Sequence, residues 1–433
     1  MSTKTRRGEL LARAYAVSPG LAIEVCHIGA DAAKQMARFA KAKCGPKAFV
    51  VSDENTRKAV GDTPFAELRA AGKQLSEKVY GSARLDASDH LGDEVADEGR
   101  DADFFVGIGS GSVCDLAKHA GTKLNRPVLL YGTAASMNGY TSGITAMKVR
   151  GLKRTIPCQP ALGVFADPEV VAAAPARMTA AGVADFLSKC SAGADWRTAH
   201  FLRNEFYDES ALRFYEGIVE EMLESAEAVG RGDANAAALV MEALLLSGLA
   251  MLVAGSSSPA SGGEHLISHY VDMKQALYGT SNDLHGVQVG VATVHCLRLW
   301  EKVLDVDPTC MNIDALVAAQ PGEEQIRAWA VEDWGPAIAE EVLKQWAQKA
   351  LDSGGIRAEL VKFRDGLPEL RKAVGHDLLP AETVAHAIRL SGGPTEPEGM
   401  TAPVEEYRKA LQRARYIRNR FTVLDLAAEL GLE

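Results

Sequence analysis

The sequence lacks paired cysteines, and this absence excludes a disulfide-stabilised extracellular framework. Its seven cysteines are spread from residue 26 to residue 310, and no two of them form a CxxC pair. An odd, dispersed set of this kind indicates reduced thiols. The basic N-terminal residues are not followed by an apolar core of signal-peptide length. We therefore expect a cytoplasmic protein.

Clustered positive charge is also missing. The chain has 47 Lys and Arg residues against 57 Asp and Glu residues, and its net charge is −10. No stripe of Lys and Arg stands out, so we do not expect nucleic acid as a partner. A Walker-type GxxxxGK[ST] segment is absent as well, which argues against a nucleoside triphosphate. Repeats of solenoid period and low-complexity tracts are likewise absent from the sequence.

One long apolar run requires a test for a membrane span. Residues 236–254 read AAALVMEALLLSGLAMLVA, which is close to spanning length. Glu242 interrupts the run, many of its residues are small, and Asp233 offers a cap for the start of a helix. We predict a helix buried in a bundle or at a subunit contact, and no membrane span.

The length and the change of pattern along the chain predict two domains. A chain of 433 residues exceeds one ordinary hydrophobic core. Up to residue 166, short apolar runs alternate with helical patterns, which is typical of βαβ units and a parallel sheet. After Asp167 the β-branched runs give way to long stretches rich in Ala, Leu and Glu. We predict an α/β plus all-α protein, with a Rossmann-like nucleotide-binding domain at 1–166 and an all-helical domain at 167–433.

Particular runs carry this prediction. Strands are predicted at 47–51, 104–108 and 128–131, with additional edge pieces at 150–157 and 163–166. Helical periodicity is found at 211–229, 233–254, 286–304, 323–352 and 404–416. The stretch 391–403, SGGPTEPEGMTAP, is predicted as a loop between helices.

A glycine-rich turn is the main nucleotide-binding signal. Residues 107–112, GIGSGS, follow a predicted strand and precede a predicted helix. Glycines let the backbone approach a diphosphate, and a helix N-terminus supplies free N–H donors and a favourable dipole. The spacing differs from GxGxxG, so a strand-to-helix turn without a ligand remains an alternative.

Polar side chains follow the other predicted strands. Asp53, at the end of the first strand, is placed to accept hydrogen bonds from a ribose diol, which would favour NAD over NADP. A helix-capping role for Asp53 is an equally valid interpretation. Thr133 and Ser136 add hydroxyl groups after the third strand. The carboxyl edge of an open α/β sheet is where ligands bind.

Three histidines and one aspartate predict a metal site. His265 and His269 are four residues apart, so on a helix both rings project from one face. His285 begins another helix-like run, and Asp185 lies in the segment AAGVADFLSKC. Imidazole nitrogens with one carboxylate suit a divalent ion such as Zn²⁺ or Ni²⁺ that keeps open positions for substrate. From spacing alone, ordinary structural histidines remain the alternative.

Six segments in this order resemble the sn-glycerol-1-phosphate dehydrogenase family. They read VSDENT, GIGSGSVCDLAK, GTAASMNGYTS, TAAGVADFLSK, GGEHLISHY and LHG. The wider group contains metal-dependent glycerol dehydrogenases, iron-type alcohol dehydrogenases and dehydroquinate synthases. The resemblance covers about residues 49–285 and implies a dehydroquinate synthase-like fold. The segments GEHLISH and TAASMNGYTS favour the glycerol-1-phosphate branch.

The resemblance implies specific roles for residues of this chain. It implies that Asp185, His265 and His285 bind the metal ion, and that Asp185, His269 and Asn138 contact the substrate. These four charged or imidazole side chains, Asp185, His265, His269 and His285, form the expected catalytic set. The implied dinucleotide contacts are Asp53, Gly109, Ser110, Gly111, Ser112, Val113, Thr133, Ala134, Ala135, Ser136 and Ser142. At 138 the family usually has an acidic residue, whereas Asn138 is an uncharged amide.

The implied activity is the reduction of dihydroxyacetone phosphate to sn-glycerol 1-phosphate by NADH or NADPH. A divalent ion, Zn²⁺ or Ni²⁺ with Fe²⁺ as a further candidate, would polarise the C2 carbonyl group. His269 is the candidate for hydrogen-bonding the substrate and relaying a proton. Lys153, Arg154 and Lys189 are candidates for holding the phosphate. We also expect a homo-oligomer.

Three alternatives remain open from the sequence. The substrate could be an unphosphorylated polyol such as glycerol, handled by the same site. The protein could be a dehydroquinate synthase-like cyclase that eliminates phosphate, although it lacks a VDSSVGGK-like segment and reads MNGYTSGIT instead. Asn138 also makes a catalytically inactive dinucleotide-binding protein conceivable.

Overall fold

A six-stranded parallel sheet dominates the first part of the chain. The computed structural model describes residues 10–81, 85–149 and 152–432. The strand order is β1-β8-β5-β4-β2-β3, and every neighbouring pair is parallel. The strands are β1 Val25–Ile28, β2 Lys47–Asp53, β3 Gln74–Tyr80, β4 Phe104–Gly109, β5 Val128–Gly132, β6 Ile144–Val149, β7 Leu152–Pro157 and β8 Gly163–Ala166. The predicted Rossmann-like parallel sheet is confirmed.

The central strands are buried along their whole length. Every residue of β4 (FFVGIG) and of β5 (VLLYG) is shielded from water. Continuous apolar runs of this kind are typical of parallel strands that are covered on both faces. The edge strand β3 (QLSEKVY) has no fully buried residue, which fits its position at the margin of the sheet.

Two strand assignments from the sequence are wrong. β8 is not an edge piece, because it lies between β1 and β5 inside the sheet. β7 does not join the sheet and pairs with β6 in a separate antiparallel hairpin, whereas positions 150 and 151 lie outside the described residues. The sequence analysis also missed β1, β3 and β6, since β1 has only four residues and the other two carry many polar side chains.

Helices form the rest of the described structure. The α-helices are α1 Leu10–Val17, α2 Ala32–Lys43, α3 Glu54–Val60, α4 Thr63–Ala70, α5 Asp89–Glu98, α6 Gly111–Leu124, α7 Pro168–Ala172, α8 Ala176–Leu187, α9 Lys189–Arg203, α10 Glu209–Leu212, α11 Ile218–Gly230, α12 Ala234–Ala254, α13 Gly263–Tyr278, α14 His285–Asp305, α15 Ile313–Ala318, α16 Glu323–Trp346, α17 Ser353–Val374, α18 Ala381–Leu390, α19 Val404–Arg413 and α20 Val423–Glu429. Short 3₁₀ turns lie at Arg213–Tyr215, Ser258–Ala260, Pro308–Cys310, Pro397–Gly399 and Ala414–Tyr416.

The apolar run at 236–254 belongs to α12. Asp233 accepts a hydrogen bond from the backbone N–H of Ala236 at 2.9 Å, so the predicted cap is confirmed. Within the described ranges, α12 is the one helix long and apolar enough to cross a membrane. Inside the protein, 89% of its most apolar window is buried. Glu242 lies in this buried stretch as well.

Other helices depart from their predicted bounds. α16 ends at Trp346 rather than near residue 352, and it kinks at Gly335, where φ is +71° before Pro336. Asp352 instead caps α17 by accepting from the N–H of Gly355 at 2.7 Å. α17 was not predicted, because its glycines and Pro368 are unusual inside a helix, although one of its faces is apolar and buried.

The chain forms two compact units that do not follow its order. The first unit comprises the described part of 1–186 with Ser210–Ser256 and Leu390–Gly393. The second comprises Leu187–Glu209, Ser257–Arg389 and Pro394–Glu433. The first unit therefore contains α12 in addition to the sheet. The boundary after residue 166 remains a prediction about where strands give way to helices.

Gly182 lets α8 approach the segment that follows β5. A Cβ at this position would lie 2.0 Å from the carbonyl oxygen of Ala135 and 2.9 Å from Cγ1 of Val240. The obstacle at 2.0 Å is backbone, which side-chain rotation does not relieve. The close approach therefore requires glycine here.

We expect Gly182→Ala to lower the free energy of unfolding by about 1–3 kcal/mol, because the added methyl group overlaps the backbone of Ala135. The measurement is the midpoint of thermal unfolding. Gly354→Ala, in the first turn of α17, is the matched control. Its Cβ meets only Oδ1 of Asp352 at 3.4 Å, so the better helix propensity of Ala should leave stability unchanged or raised. Equal unfolding midpoints for the two variants would contradict this explanation.

Candidate active site

The strand order reverses beside β2, at the carboxyl edge of the sheet. From β2 the chain first moves outward to β3 and then returns to β4 on the other side of β2. Such a reversal leaves a crevice where ligands bind in open α/β folds. Asp53 ends β2 and Gly109 ends β4, so both of these predicted residues flank this crevice.

The glycine-rich turn passes directly into a helix. Ser110 precedes α6, and a Cβ on Gly109 would lie 2.7 Å from Cβ of Val113. The backbone N–H of Thr133 donates to the carbonyl oxygen of Gly109 at 3.1 Å. The Ser112 hydroxyl donates to the Leu85 carbonyl oxygen at 2.5 Å. The predicted turn and the predicted segment after β5 therefore lie side by side.

Asp53 caps α3. Its Oδ1 accepts from the N–H of Thr56 at 2.8 Å, and its own N–H donates to the hydroxyl of Thr56 at 3.0 Å. This reciprocal capping box is one of the two roles inferred from the sequence. The other role, contact with a ribose, remains a prediction.

A buried ammonium group holds the segment after β5. Nζ of Lys118 donates to the carbonyl oxygens of Gly139 at 2.8 Å, of Ile144 at 2.5 Å and of Ser142 at 3.3 Å. Lys118 is wholly buried on α6. The sequence analysis missed Lys118, although a lysine on the apolar face of a helix is a signal that could have revealed it. The hydroxyl of Ser142 donates within the same segment, toward the carbonyl oxygens of Gly139 and Ile144 at 3.1 Å each.

Asn138 and Asp185 belong to one polar cluster of the first unit. Nδ2 of Asn138 donates to the hydroxyl of Ser247 at 3.1 Å. Ser247 also hydrogen-bonds Tyr215, whose pKa is raised by burial and, to a smaller extent, by the negative charge of Asp185. Asp185 itself is wholly buried on α8. An amide at position 138 is therefore compatible with a hydroxyl partner on α12.

Three imidazole rings converge in the second unit. His265 and His269 project from α13, and His285 is the first residue of α14. The ring centroids are 5.1 Å apart for His265 and His285, 6.1 Å for His269 and His285, and 6.3 Å for His265 and His269. The four-residue spacing and the packing of α13 on α14 produce this arrangement.

The ring nitrogens of the histidines differ in their surroundings. Nδ1 of His265 lies 2.8 Å from Oε1 of Glu264, and Nδ1 of His285 lies 3.2 Å from the hydroxyl of Ser268. Nδ1 of His269 is buried and has no hydrogen-bond partner among the described residues. Burial and the positive charge of Arg418 hold the pKa of His269 well below its usual value, so its imidazole is neutral at pH 7.

The three imidazole groups are of the ligand type that divalent metal ions prefer. Neutral imidazole is the commonest metal ligand in proteins, and the buried Nδ1 of His269 is a polar atom without a partner in the described chain. Within the described ranges, no group of three or more His, Cys, Asp or Glu side chains is arranged so that it could hold a metal ion. Asp185 belongs to the first compact unit and the histidines belong to the second.

The three candidate phosphate ligands, Lys153, Arg154 and Lys189, differ in their surroundings. Lys189 is buried, and its ammonium group donates to the carbonyl oxygen of Ala260 and to the hydroxyl of Ser188, at 3.1 Å each. Arg154 is exposed on β7, and the side chain of Lys153 lies outside the described residues. Arg418 was missed because it lies beyond residue 286, where the family resemblance ended.

Comparisons with known structures define the class of fold. A family profile described as iron-containing alcohol dehydrogenase matches residues 27–175. Glycerol dehydrogenase from Schizosaccharomyces pombe is 19% identical with a TM-score of 0.55, over 82% of this chain and 92% of that one. Alcohol dehydrogenase from Oenococcus oeni is 16% identical with a TM-score of 0.58, over 94% of this chain and 98% of that one. The chain therefore has the fold of these dehydrogenases.

Sequence relatives narrow the class to one family. Glycerol-1-phosphate dehydrogenase [NAD(P)+] of Bacillus velezensis is 32% identical over 332 residues, which cover 74% of this chain and 84% of the relative. The Haloarcula marismortui enzyme of the same name is 37% identical, over 57% of this chain and 68% of the relative. The chain belongs to the glycerol-1-phosphate dehydrogenase family.

We expect Lys118→Met to lower the free energy of unfolding by about 3 kcal/mol or more, because it leaves several buried carbonyl groups without a donor. Thermal unfolding measures the loss. Lys123→Met on the same helix is the control. Lys123 pairs with Asp93 at 2.8 Å with 42% of its side chain exposed, so its removal should change stability by less than about 1 kcal/mol. A Lys118→Met protein as stable as Lys123→Met would show that the segment does not depend on this ammonium group.

Proposed function

We propose that the chain is an NAD(P)-dependent, metal-dependent glycerol-1-phosphate dehydrogenase that reduces dihydroxyacetone phosphate to sn-glycerol 1-phosphate. The observation that carries the proposal is the convergence of His265, His269 and His285. Family membership supports the identity of the substrate. The proposal assigns the metal ion to Asp185, His265 and His285 from the sequence resemblance.

The side chains have distinct tasks in this proposal. When bound, the metal ion supplies Lewis-acid polarisation of the C2 oxygen, and the nicotinamide supplies or takes the hydride. Neutral His269 accepts the proton of the C2 hydroxyl in the oxidation direction and returns it in the reduction direction. Asn138 donates to and accepts from a substrate hydroxyl, because its amide has both capacities.

The proposed cofactor site uses the carboxyl edge of the sheet. Backbone N–H groups at the start of α6 are proposed to face the diphosphate, with Gly109 giving the room for a close approach. Asp53 is proposed to contact the ribose, which favours NAD over NADP. A homo-oligomer in the cytoplasm remains a prediction from the sequence.

The test is cofactor oxidation by the purified chain with added Zn²⁺, Ni²⁺ or Fe²⁺. We expect dihydroxyacetone phosphate to oxidise NADH or NADPH, and a chelator to abolish the reaction. His265→Ala and His285→Ala should lose the bound metal ion, because each removes one imidazole ligand, whereas His269→Ala should retain it and lose turnover. Metal content is measured in parallel.

Specific outcomes would contradict the proposal. Release of inorganic phosphate from a sugar-acid phosphate without net loss of NADH absorbance would identify a cyclase. Equal activity with dihydroxyacetone and its phosphate would identify a polyol dehydrogenase. Cofactor binding without oxidation of any of these substrates would leave only a dinucleotide-binding protein.

We further propose that Arg418 attracts the phosphate group of the substrate. Its positive charge acts on His269, the proposed substrate contact. The ammonium group of Lys189 donates to Ala260 and Ser188, and Arg418 also takes part in interactions within the protein. A guanidinium group is suited to a phosphate because it offers several N–H donors in one plane.

We expect Arg418→Ala to lower kcat/KM for dihydroxyacetone phosphate about 10- to 100-fold, the loss that corresponds to one charge-assisted hydrogen bond. The value for unphosphorylated dihydroxyacetone should change little. Arg408→Ala is the control, since Arg408 is exposed on α19 and lies 3.8 Å from Glu405. Equal losses for both substrates would mean that Arg418 does not act on the phosphate.

A further inference from the structure

Glu264 is a wholly buried carboxylate next to the histidine cluster. It follows Gly263 in the first turn of α13 and precedes His265. Its Oε1 accepts the backbone N–H of Gly262 at 2.7 Å and lies 2.8 Å from Nδ1 of His265. An ionised carboxylate has no hydrogen to donate, so an ionised Glu264 accepts from His265 as well and places the hydrogen of that ring on Nδ1.

We propose that Glu264 is a positioning residue that fixes the tautomer and orientation of His265 so that Nε2 is the nitrogen offered to a metal ion. This inference rests on the proposed metal-dependent function. Buried carboxylates that hold the second nitrogen of a metal-binding imidazole raise its basicity, and their removal typically weakens metal binding 10- to 100-fold. The role of Glu264 is thus exerted through His265 rather than by contact with the substrate.

Helix capping alone does not account for this carboxylate. Asp195 already caps the start of α13, since its Oδ2 accepts from the backbone N–H of Gly263 at 2.7 Å. Its Oδ1 accepts from the N–H of Val423 at 2.9 Å. Burying a second carboxylate beside the first is costly, because the two negative charges repel each other and both lose water. Glu264 adds a hydrogen bond from the N–H of Gly262 and the contact with His265, and the second of these reaches the histidine cluster.

A similar arrangement occurs at a second ring of the cluster. The hydroxyl of Ser268 lies 3.2 Å from Nδ1 of His285, and the amide of Gln288 donates to the same hydroxyl at 3.2 Å. The hydroxyl oxygen of Ser268 has two lone pairs, so it accepts from the Gln288 amide and is also able to accept from an N–H on Nδ1 of His285. With that tautomer both rings present Nε2, and Glu264 selects it for His265.

The experiment measures Zn²⁺ affinity directly by competition with a chelator of known affinity. Glu264→Gln keeps an acceptor oxygen and loses the charge, whereas Glu264→Leu loses both. Asp195→Asn is the matched control, because it also replaces a buried carboxylate by an amide, at a residue of α9 that accepts from the first N–H of α13. Thermal unfolding with and without Zn²⁺ reports on folding in every variant.

We expect Glu264→Leu to weaken Zn²⁺ binding 10- to 100-fold and Glu264→Gln to weaken it by a smaller factor. Asp195→Asn should remain within about twofold of the wild type, whatever its effect on stability without metal. The proposal is overturned if both Glu264 variants bind Zn²⁺ as tightly as the wild type, or if Asp195→Asn loses as much affinity. Should Glu264→Leu fail to fold, the comparison of the two amide variants decides.

These outcomes separate the inference from the proposed function. A wild-type chain that binds no Zn²⁺ would overturn both, and the inference would fall with the metal site. A wild-type chain that binds Zn²⁺ and reduces dihydroxyacetone phosphate, together with unaltered affinity in the Glu264 variants, would overturn the inference alone.

Discussion

Buried backbone carbonyl groups need donors, and two irregular segments of this protein obtain them from lysine and arginine side chains. Lys118 serves this purpose for the segment after β5. In the second unit, Lys189 donates to the carbonyl oxygen of Ala260, and Arg420 donates to that of Ser261. A carbonyl group removed from water without a partner costs free energy comparable to a lost hydrogen bond. These two loops can therefore be irregular and buried at the same time.

A buried cation that donates to carbonyl groups also affects the charged side chains around it. A buried ammonium or guanidinium group is tolerated only when it is paired or richly hydrogen-bonded. Near the start of α13 the carboxylates of Asp195 and Glu264 are also buried, and burial raises the pKa of both. Close by, burial and Arg418 lower the pKa of His269. Burial is thus the first cause both of the raised pKa of the two carboxylates and of the lowered pKa of the imidazole.

The sequence was sufficient to predict the parallel sheet and the helix-rich remainder. It predicted the details of the candidate site only in part. The central strands were predictable because β4 and β5 are continuous apolar runs, and α12 because Asp233 marks its start. β3 was not, since an edge strand keeps its polar residues in water. The position of β8 inside the sheet depends on long-range pairing, which local periodicity does not encode.

For the candidate site, the four-residue spacing predicted that His265 and His269 share one face of a helix. It did not predict Lys118, Glu264 or Arg418, because each acquires its role from partners distant in space or from burial. Motif reading finds residues that face a ligand, whereas the groups that hold those residues in place emerge only from packing. Asp53 illustrates the limit, since the structure shows its capping role while its contact with a ribose stays a prediction.

The interleaving of the two compact units has a consequence for how the chain acquires its structure. The unit that contains the sheet also requires α12, which packs against α1, β1 and α7. A nascent chain that has emerged only as far as β8 therefore still exposes apolar surface that this helix will cover. Ribosomal synthesis proceeds from the N-terminus at about 5–20 residues per second, so completion of the unit that contains the sheet must wait several seconds for the sequence around residue 254.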